Sequence, residues 1–120
     1  MSSKIYDLEE RTFVFTKNVI EFINKLERNL SNNEISKQLI RSAGSVGANY
    51  IEANESLGKK DFSMRIKISK KEAKETRYWL RLLICKQELE LDRSKLIQEV
   101  TELMKIFGAI LEKTKNKEKS

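Results

Sequence analysis

KDFSMRIKISKKEAKETRYWLRLLICK, residues 60–86, decides the fold. Phe62, Ile66, Ser69, Ala73, Thr76, Leu80 and Leu83 recur at spacings of three and four, which stacks them on one face of an α-helix. That periodicity predicts a helix over about 60–86. Its remaining positions are crowded with Lys and Arg.

Upstream, Leu8, Phe15, Val19, Phe22 and Leu26 repeat with helical spacing and predict a helix over about 7–29, its apolar face widened by Phe13, Ile20 and Ile23. Ser31-Asn32-Asn33-Glu34 reads as a capping box, the serine accepting from an orphan N–H and Glu34 reaching back to the cap. A second helix is predicted over about 34–56, with Ile35, Leu39, Ala43, Val46, Tyr50, Ala53 and Leu57 as its core line. Gly58 suits the left-handed position that ends a helix. Downstream, Asp92 reads as an N-cap. The fourth helix follows over about 93–113 on Leu96, Val100, Leu103, Phe107 and Ile110, flanked by Ile97, Met104 and Leu111. Residues 114–120 are charged and are expected to fray.

Four helices with short connections predict an all-α, up-down-up-down antiparallel four-helix bundle, one domain over residues 1–120. The absence of proline and the presence of only four glycines agree with helices rather than a sheet with tight turns. The single cysteine, Cys85, has no internal disulfide partner, which points to a reducing, cytoplasmic setting. Residues 1–20 lack the pattern of a signal peptide. No run approaches the ~18 apolar residues of a membrane span, so no membrane partner is expected.

Catalysis is not expected. The chain has no histidine, the commonest general acid/base and metal ligand, and no Gly-rich phosphate loop in a strand-turn-helix context. Carboxylate pairs at Glu52/Glu55 and Glu72/Glu75 have the i,i+3 spacing common on solvated helix faces. No histidine is available to activate Cys85. Accordingly no catalytic residue, metal or cofactor is assigned.

The charge is lopsided. The whole chain carries +6, whereas residues 59–86 alone carry ten basic and three acidic side chains, net +7. On a helical wheel Lys60, Lys67, Lys70, Lys71, Lys74, Arg77 and Arg81 fall within one arc of roughly 120°. Such a stripe repels itself by a few tenths of a kcal/mol per pair. Phosphates would offset this, each releasing a condensed counterion; a merely solvated face that keeps the protein soluble is the alternative. Tyr78 shares the arc and is placed to stack on a base. A third face of the helix carries Ile68, Trp79 and Leu82, edged by Met64, with Glu72 and Glu75 among them. It reads as an oligomer interface in which the two glutamates pair with another subunit or with their own helix. The alternative is a tryptophan covering a bundle edge.

The run Ser42-Ala43-Gly44-Ser45-Val46-Gly47-Ala48-Asn49 places two glycines inside a helix, at about 1 kcal/mol each relative to alanine. Close approach of another backbone is the expected return. Arg41 through Asn49 and on to Glu52, together with Lys71-Glu72-Ala73-Lys74-Glu75-Thr76-Arg77-Tyr78-Trp79-Leu80, resembles the signature stretches of the bacterial four-helix-bundle family, also called the 23S rRNA intervening-sequence proteins. The resemblance spans about residues 8–114. It implies an up-and-down bundle and a ring-shaped homopentamer. The chain is also similar to accessory proteins of diversity-generating retroelements, basic pentamers that bind nucleic acid and a reverse transcriptase. The basic arc and the resemblance together lead to a nucleic-acid-binding oligomer, with RNA favoured over DNA. A scaffold ring that presents its surface to a protein partner is the competing expectation.

Overall fold

The computed structural model describes residues 8–119, with side chains described as far as Lys115. Four helices form, α1 (Leu8–Asn24), α2 (Leu30–Asn54), α3 (Lys59–Leu82) and α4 (Glu90–Lys119), with a 3-10 turn at Gln87–Leu89 before the last. Each helix packs on its two neighbours around the bundle, α1 against both α2 and α4. The pairings run in opposite directions along every seam. Thr16 donates to the Ala43 carbonyl while Asn54 donates to Glu9. Ser69 donates to the Val46 carbonyl while Thr76 donates to Ser42. Arg11 meets Glu99 while Lys25 meets Asp92. This is the expected up-down-up-down bundle.

The core follows most of the periodic lines. Phe15, Val19 and Phe22 of α1, Leu39, Ala43, Val46 and Ala53 of α2, Ile66, Ala73 and Leu80 of α3, and Leu96, Val100, Leu103 and Phe107 of α4 are buried. Ser69 and Thr76 are fully buried as well, and their hydroxyls bond α2, which removes the cost of burying them. Ile35, Tyr50, Phe62 and Ile110 are half-buried against this core. Three expected core residues are not in it. Phe13 and Ile20 are exposed, because α1 turns Thr12 and Thr16 toward α2 and leaves those two on the outer side of the seam. Leu57 is fully exposed in the turn beyond α2.

The helix ends also differ from the sequence expectation. Asn29, not Ser31, caps α2: its side chain accepts from the Asn32 N–H at 2.8 Å, and Ser31 donates to that same oxygen. Starting α2 at Leu30 leaves Asn32 free to reach across the bundle end, where it is 2 % exposed. Its amide donates to the carbonyls of Glu27 and Ile84 and accepts from the Ile84 N–H. α1 closes at Asn24, five residues early, with Leu26 half-buried beyond it. Gly58 has φ −148° and precedes α3 as its N-cap, so no left-handed cap ends α2. α3 stops at Leu82, not Lys86, because Arg93 and Asn32 take up the groups at its end. α4 begins at Glu90, which puts Asp92 inside its first turn instead of at the cap. It continues to Lys119, through most of the tail expected to fray. The expected helix start at Asp7 lies outside the described residues.

The two glycines of α2 differ in purpose. A Cβ on Gly47 would lie 2.9 Å from Thr12 Oγ1 and 3.2 Å from its Cβ, so this glycine lets α1 approach α2. A Cβ on Gly44 would meet nothing within 4 Å. Gly44→Ala is therefore expected to stabilise the folded chain by about 0.5–1 kcal/mol, the helix-propensity difference. Gly47→Ala is expected to destabilise it by about 1–2 kcal/mol through overpacking. Urea denaturation of the pair checks both signs, and equal shifts would contradict the close approach at Gly47.

Candidate nucleic-acid interface

The sequence of α3 sorts its charge by register. The five buried residues of the helix are Ile66, Ser69, Ala73, Thr76 and Leu80. Each is followed directly by a cation: Lys67, Lys70, Lys74, Arg77 and Arg81. One residue is about 100° of rotation, so all five cations turn to the same flank of the core line. That flank faces α4. Arg77 Nη1 donates to Thr101 at 3.3 Å, and the Lys70 ammonium lies 3.6 Å from where a Cβ on Gly108 would stand. Lys60 and Lys67 border α4 at Leu111 and Lys115. The stripe thus follows the α3–α4 seam for roughly 32 Å, at 1.5 Å per residue from Lys60 to Arg81.

The acids go the other way. Glu72 precedes Ala73 and Glu75 precedes Thr76, which turns both toward α2. There Arg41 meets Glu72 at 3.7 Å and bonds Glu75. Their partner is therefore Arg41 of the same chain, and neither a neighbouring turn of α3 nor another subunit is needed to supply it. Glu72 Oε1 is buried and has no hydrogen bond among the described residues. Arg65, on the same flank, donates to Asn49 at 3.0 Å. Among the described residues none of the seven stripe cations has a carboxylate within ion-pair distance. Six of the seven are exposed and Arg77 is half-buried. The stripe is neither dispersed nor neutralised.

Tyr78 is exposed beside the stripe, with its ring edge-on to Trp79 at 5.0 Å. Trp79 is half-buried against the core, and its indole N–H donates to Glu75 at 3.2 Å. Trp79 thus does cover a bundle edge. Ile68 is half-buried, Leu82 is the exposed apolar residue of that face, and exposed Met64 stands at its edge, where it also lines a cleft between α3 and α4.

A second apolar face lies along α1 and α2. Phe13 and Ile20 flank Thr16 at i−3 and i+4. Ile40, Gly44 and Ile51 flank Gly47 at i−7, i−3 and i+4. Thr16 and Gly47 mark the α1–α2 seam, so these residues line its outer side, and all but Gly44 are exposed. Periodicity alone puts Phe13 and Ile20 in the interior, and only the position of the seam places them outside. Cys85 is half-buried, and burial pushes its thiol above the usual range although Arg93 pulls it down. At neutral pH it is therefore held as the less nucleophilic thiol.

The model of the 23S rRNA-intervening sequence protein family matches residues 5–109. The chain belongs to this family. The match takes in α1, α2, α3 and most of α4, including all seven stripe cations, and ends before Leu111. A crystal structure of a protein with unknown function from the S23 ribosomal protein family, from Bacteroides thetaiotaomicron VPI-5482, is similar to this family member. The two share 30% identity and superpose with a TM-score of 0.71, over 86% of this chain and 96% of that one. No curated protein matches the chain. No helix among the described residues is long and apolar enough to cross a membrane.

Proposed function

We propose that this protein is a non-enzymatic, cytoplasmic, homo-oligomeric RNA-binding protein that contacts phosphates through the α3 stripe. The observation that carries the reading is the register of α3. Every buried position is followed by a cation, while Glu72 and Glu75 are turned away to Arg41. A face built only for solubility has no need of that sorting, since interspersed signs serve solubility and reduce self-repulsion. The family's name ties it to ribosomal RNA genes, which favours RNA over DNA. Lys and Arg on phosphate position a strand without reading its bases, so sequence preference is weak.

The test compares two triple variants with the same change in net charge. Lys67→Gln/Lys71→Gln/Lys74→Gln is expected to weaken binding to a single-stranded RNA by about 100-fold at moderate salt. Lys17→Gln/Lys25→Gln/Lys37→Gln, which removes charge from α1, the turn after it and α2, is expected to change it only a few-fold through long-range attraction. Equal losses in the two variants would sink the assignment to α3 and leave the protein-scaffold reading in front.

We further propose that the oligomer is a ring of five. A ring needs two different patches on each subunit that join head to tail. The outer α1–α2 face and the Ile68–Trp79–Leu82 face lie on opposite sides of α2 and supply two such patches. Sedimentation is expected to give about 70 kDa, five times the 14.1 kDa chain. Ile51→Glu and Leu82→Glu are each expected to reduce it to one chain. Unchanged mass in either variant would remove that patch from the interface.

A further inference from the structure

The α3–α4 seam opens at one end into a cleft of about 570 Å³, within the range of small-ligand sites. Its inner wall is Leu111, half-buried against the core, with Met64 beside it. Around this apolar wall stand the exposed lysines Lys60, Lys67 and Lys115, the Ser63 hydroxyl, and one carboxylate, Glu112. Glu112 is within ion-pair distance of none of the lysines. The cleft is therefore apolar inside and carries a net charge of two positives at its rim.

The cleft is continuous with the stripe, because Lys60 and Lys67 belong to both. A strand whose phosphates follow Lys74, Lys70 and Lys67 along the seam arrives at an apolar wall flanked by two more cations. We propose that this cleft seats one unpaired nucleobase of a single-stranded RNA, the base lying against Met64 and Leu111 and its flanking phosphates on Lys60, Lys67 and Lys115. Duplex RNA keeps its bases paired and stacked inside, so it presents nothing for the apolar wall to cover. The proposal rests on the phosphate-binding reading of α3 and adds to it a structural preference, single strand over duplex, that phosphate contacts alone do not give.

The probe is a fluorescent twelve-residue oligouridylate, set against an abasic strand of the same length and charge and against a duplex. The native protein is expected to bind the oligouridylate about tenfold more tightly than the abasic strand, a modest return for one seated base. Met64→Ser is expected to remove that difference while leaving abasic affinity and its salt dependence unchanged. Met64→Phe, which offers a flat ring, is expected to enlarge it, a gain that damage to the fold cannot produce. Binding to neither strand would overturn the reading of the stripe itself. Equal binding of both strands, or a preference untouched in both Met64 variants, would overturn the cleft proposal and leave the stripe standing. An acidic amphipathic peptide that outcompetes oligouridylate and loses affinity in Met64→Ser would also overturn it, assigning the cleft to a protein segment.

Discussion

Asn32→Ala is expected to lower the stability of the bundle by about 3 kcal/mol, near the upper end for loss of one polar side chain. Asn32 joins the two loops at one end of the molecule. One amide donates to the carbonyls of Glu27, after α1, and Ile84, after α3, while its oxygen accepts from the Ile84 N–H. Alanine leaves three backbone groups without these partners around a side chain that is itself buried, and an unpaired group kept from water there costs more than the bond was worth. A shift of about 10 °C in melting temperature is the corresponding readout for a chain of this length. Asn32→Asp separates the hydrogen bonds from the shape. It keeps the acceptor for Ile84 N–H, loses both donations, and sets a buried carboxylate against two carbonyl oxygens. Burial raises that carboxyl's pKa above its unfolded value, so its folded state binds the extra proton and stability falls as pH rises through the window between the two values. Asn32→Asp is therefore expected to recover toward acid pH where Asn32→Ala does not. Identical pH profiles for the two variants would contradict the hydrogen-bond account.

Arg93→Met is expected to cost about 2–3 kcal/mol, the second large effect. The guanidinium enters from the first turn of α4 and closes the end of α3, donating to the Leu80 carbonyl at 3.1 Å and to that of Leu83. These are orphan carbonyls of a helix C-terminus, where a cation is also favoured by the helix dipole. The opposite edge of the fork holds Glu90, at 2.7 and 3.2 Å. The Glu90 carboxyl is held below the usual range chiefly by that hydrogen bond, and Arg93 is held above its usual value by the same contact. A depressed carboxyl stabilises the fold above its unfolded pKa and stops doing so as pH falls through its folded pKa. The gap between native protein and Arg93→Met is thus expected to narrow in acid, the carbonyl cap remaining. Arg93→Lys is expected to fall between them, since one ammonium lacks the planar fork that serves both edges. Thermal melts of the three proteins at neutral and acid pH give the comparison. Full retention of stability in Arg93→Met would show that the end of α3 is held by packing alone.

These two residues also explain what the sequence did not disclose. The core lines of α2, α3 and α4 were readable because burial imposes a 3.6-residue period, and even Ser69 and Thr76 fell on it. The end of α3 was not readable. Nothing local at Leu82 or Leu83 stops a helix, and the termination comes from Asn32 and Arg93, which are distant from α3 or separated from its end by a turn. Asn29 and Ser31 are both good caps, and the choice between them is settled by what Asn32 must reach. Phe13 and Ile20 show the limit of hydrophobic pattern: apolar residues also populate surfaces, and a one-helix wheel does not reveal which flank a neighbour leaves open.

For the candidate site the balance differs. The stripe was legible because all its cations lie on one helix, where rotation per residue is fixed. The direction of Glu72 and Glu75 was not, since their partner Arg41 lies on another element. Nor was the cleft, one wall of which is Leu111, Glu112 and Lys115 of α4. Sites within one helix follow from register, whereas sites across a seam require knowing which helices meet and at what height.

If the α3 stripe binds RNA by neutralising phosphates, native binding must depend steeply on salt. Single strands give a slope of log affinity against log salt of about −0.7 per neutralised phosphate, so seven engaged cations predict about −5. Titrating salt against a labelled single-stranded RNA is expected to show a steep line of that order, with affinity falling about a thousandfold between 50 and 200 mM. Affinity nearly independent of salt, or no binding even at the low end, would contradict it.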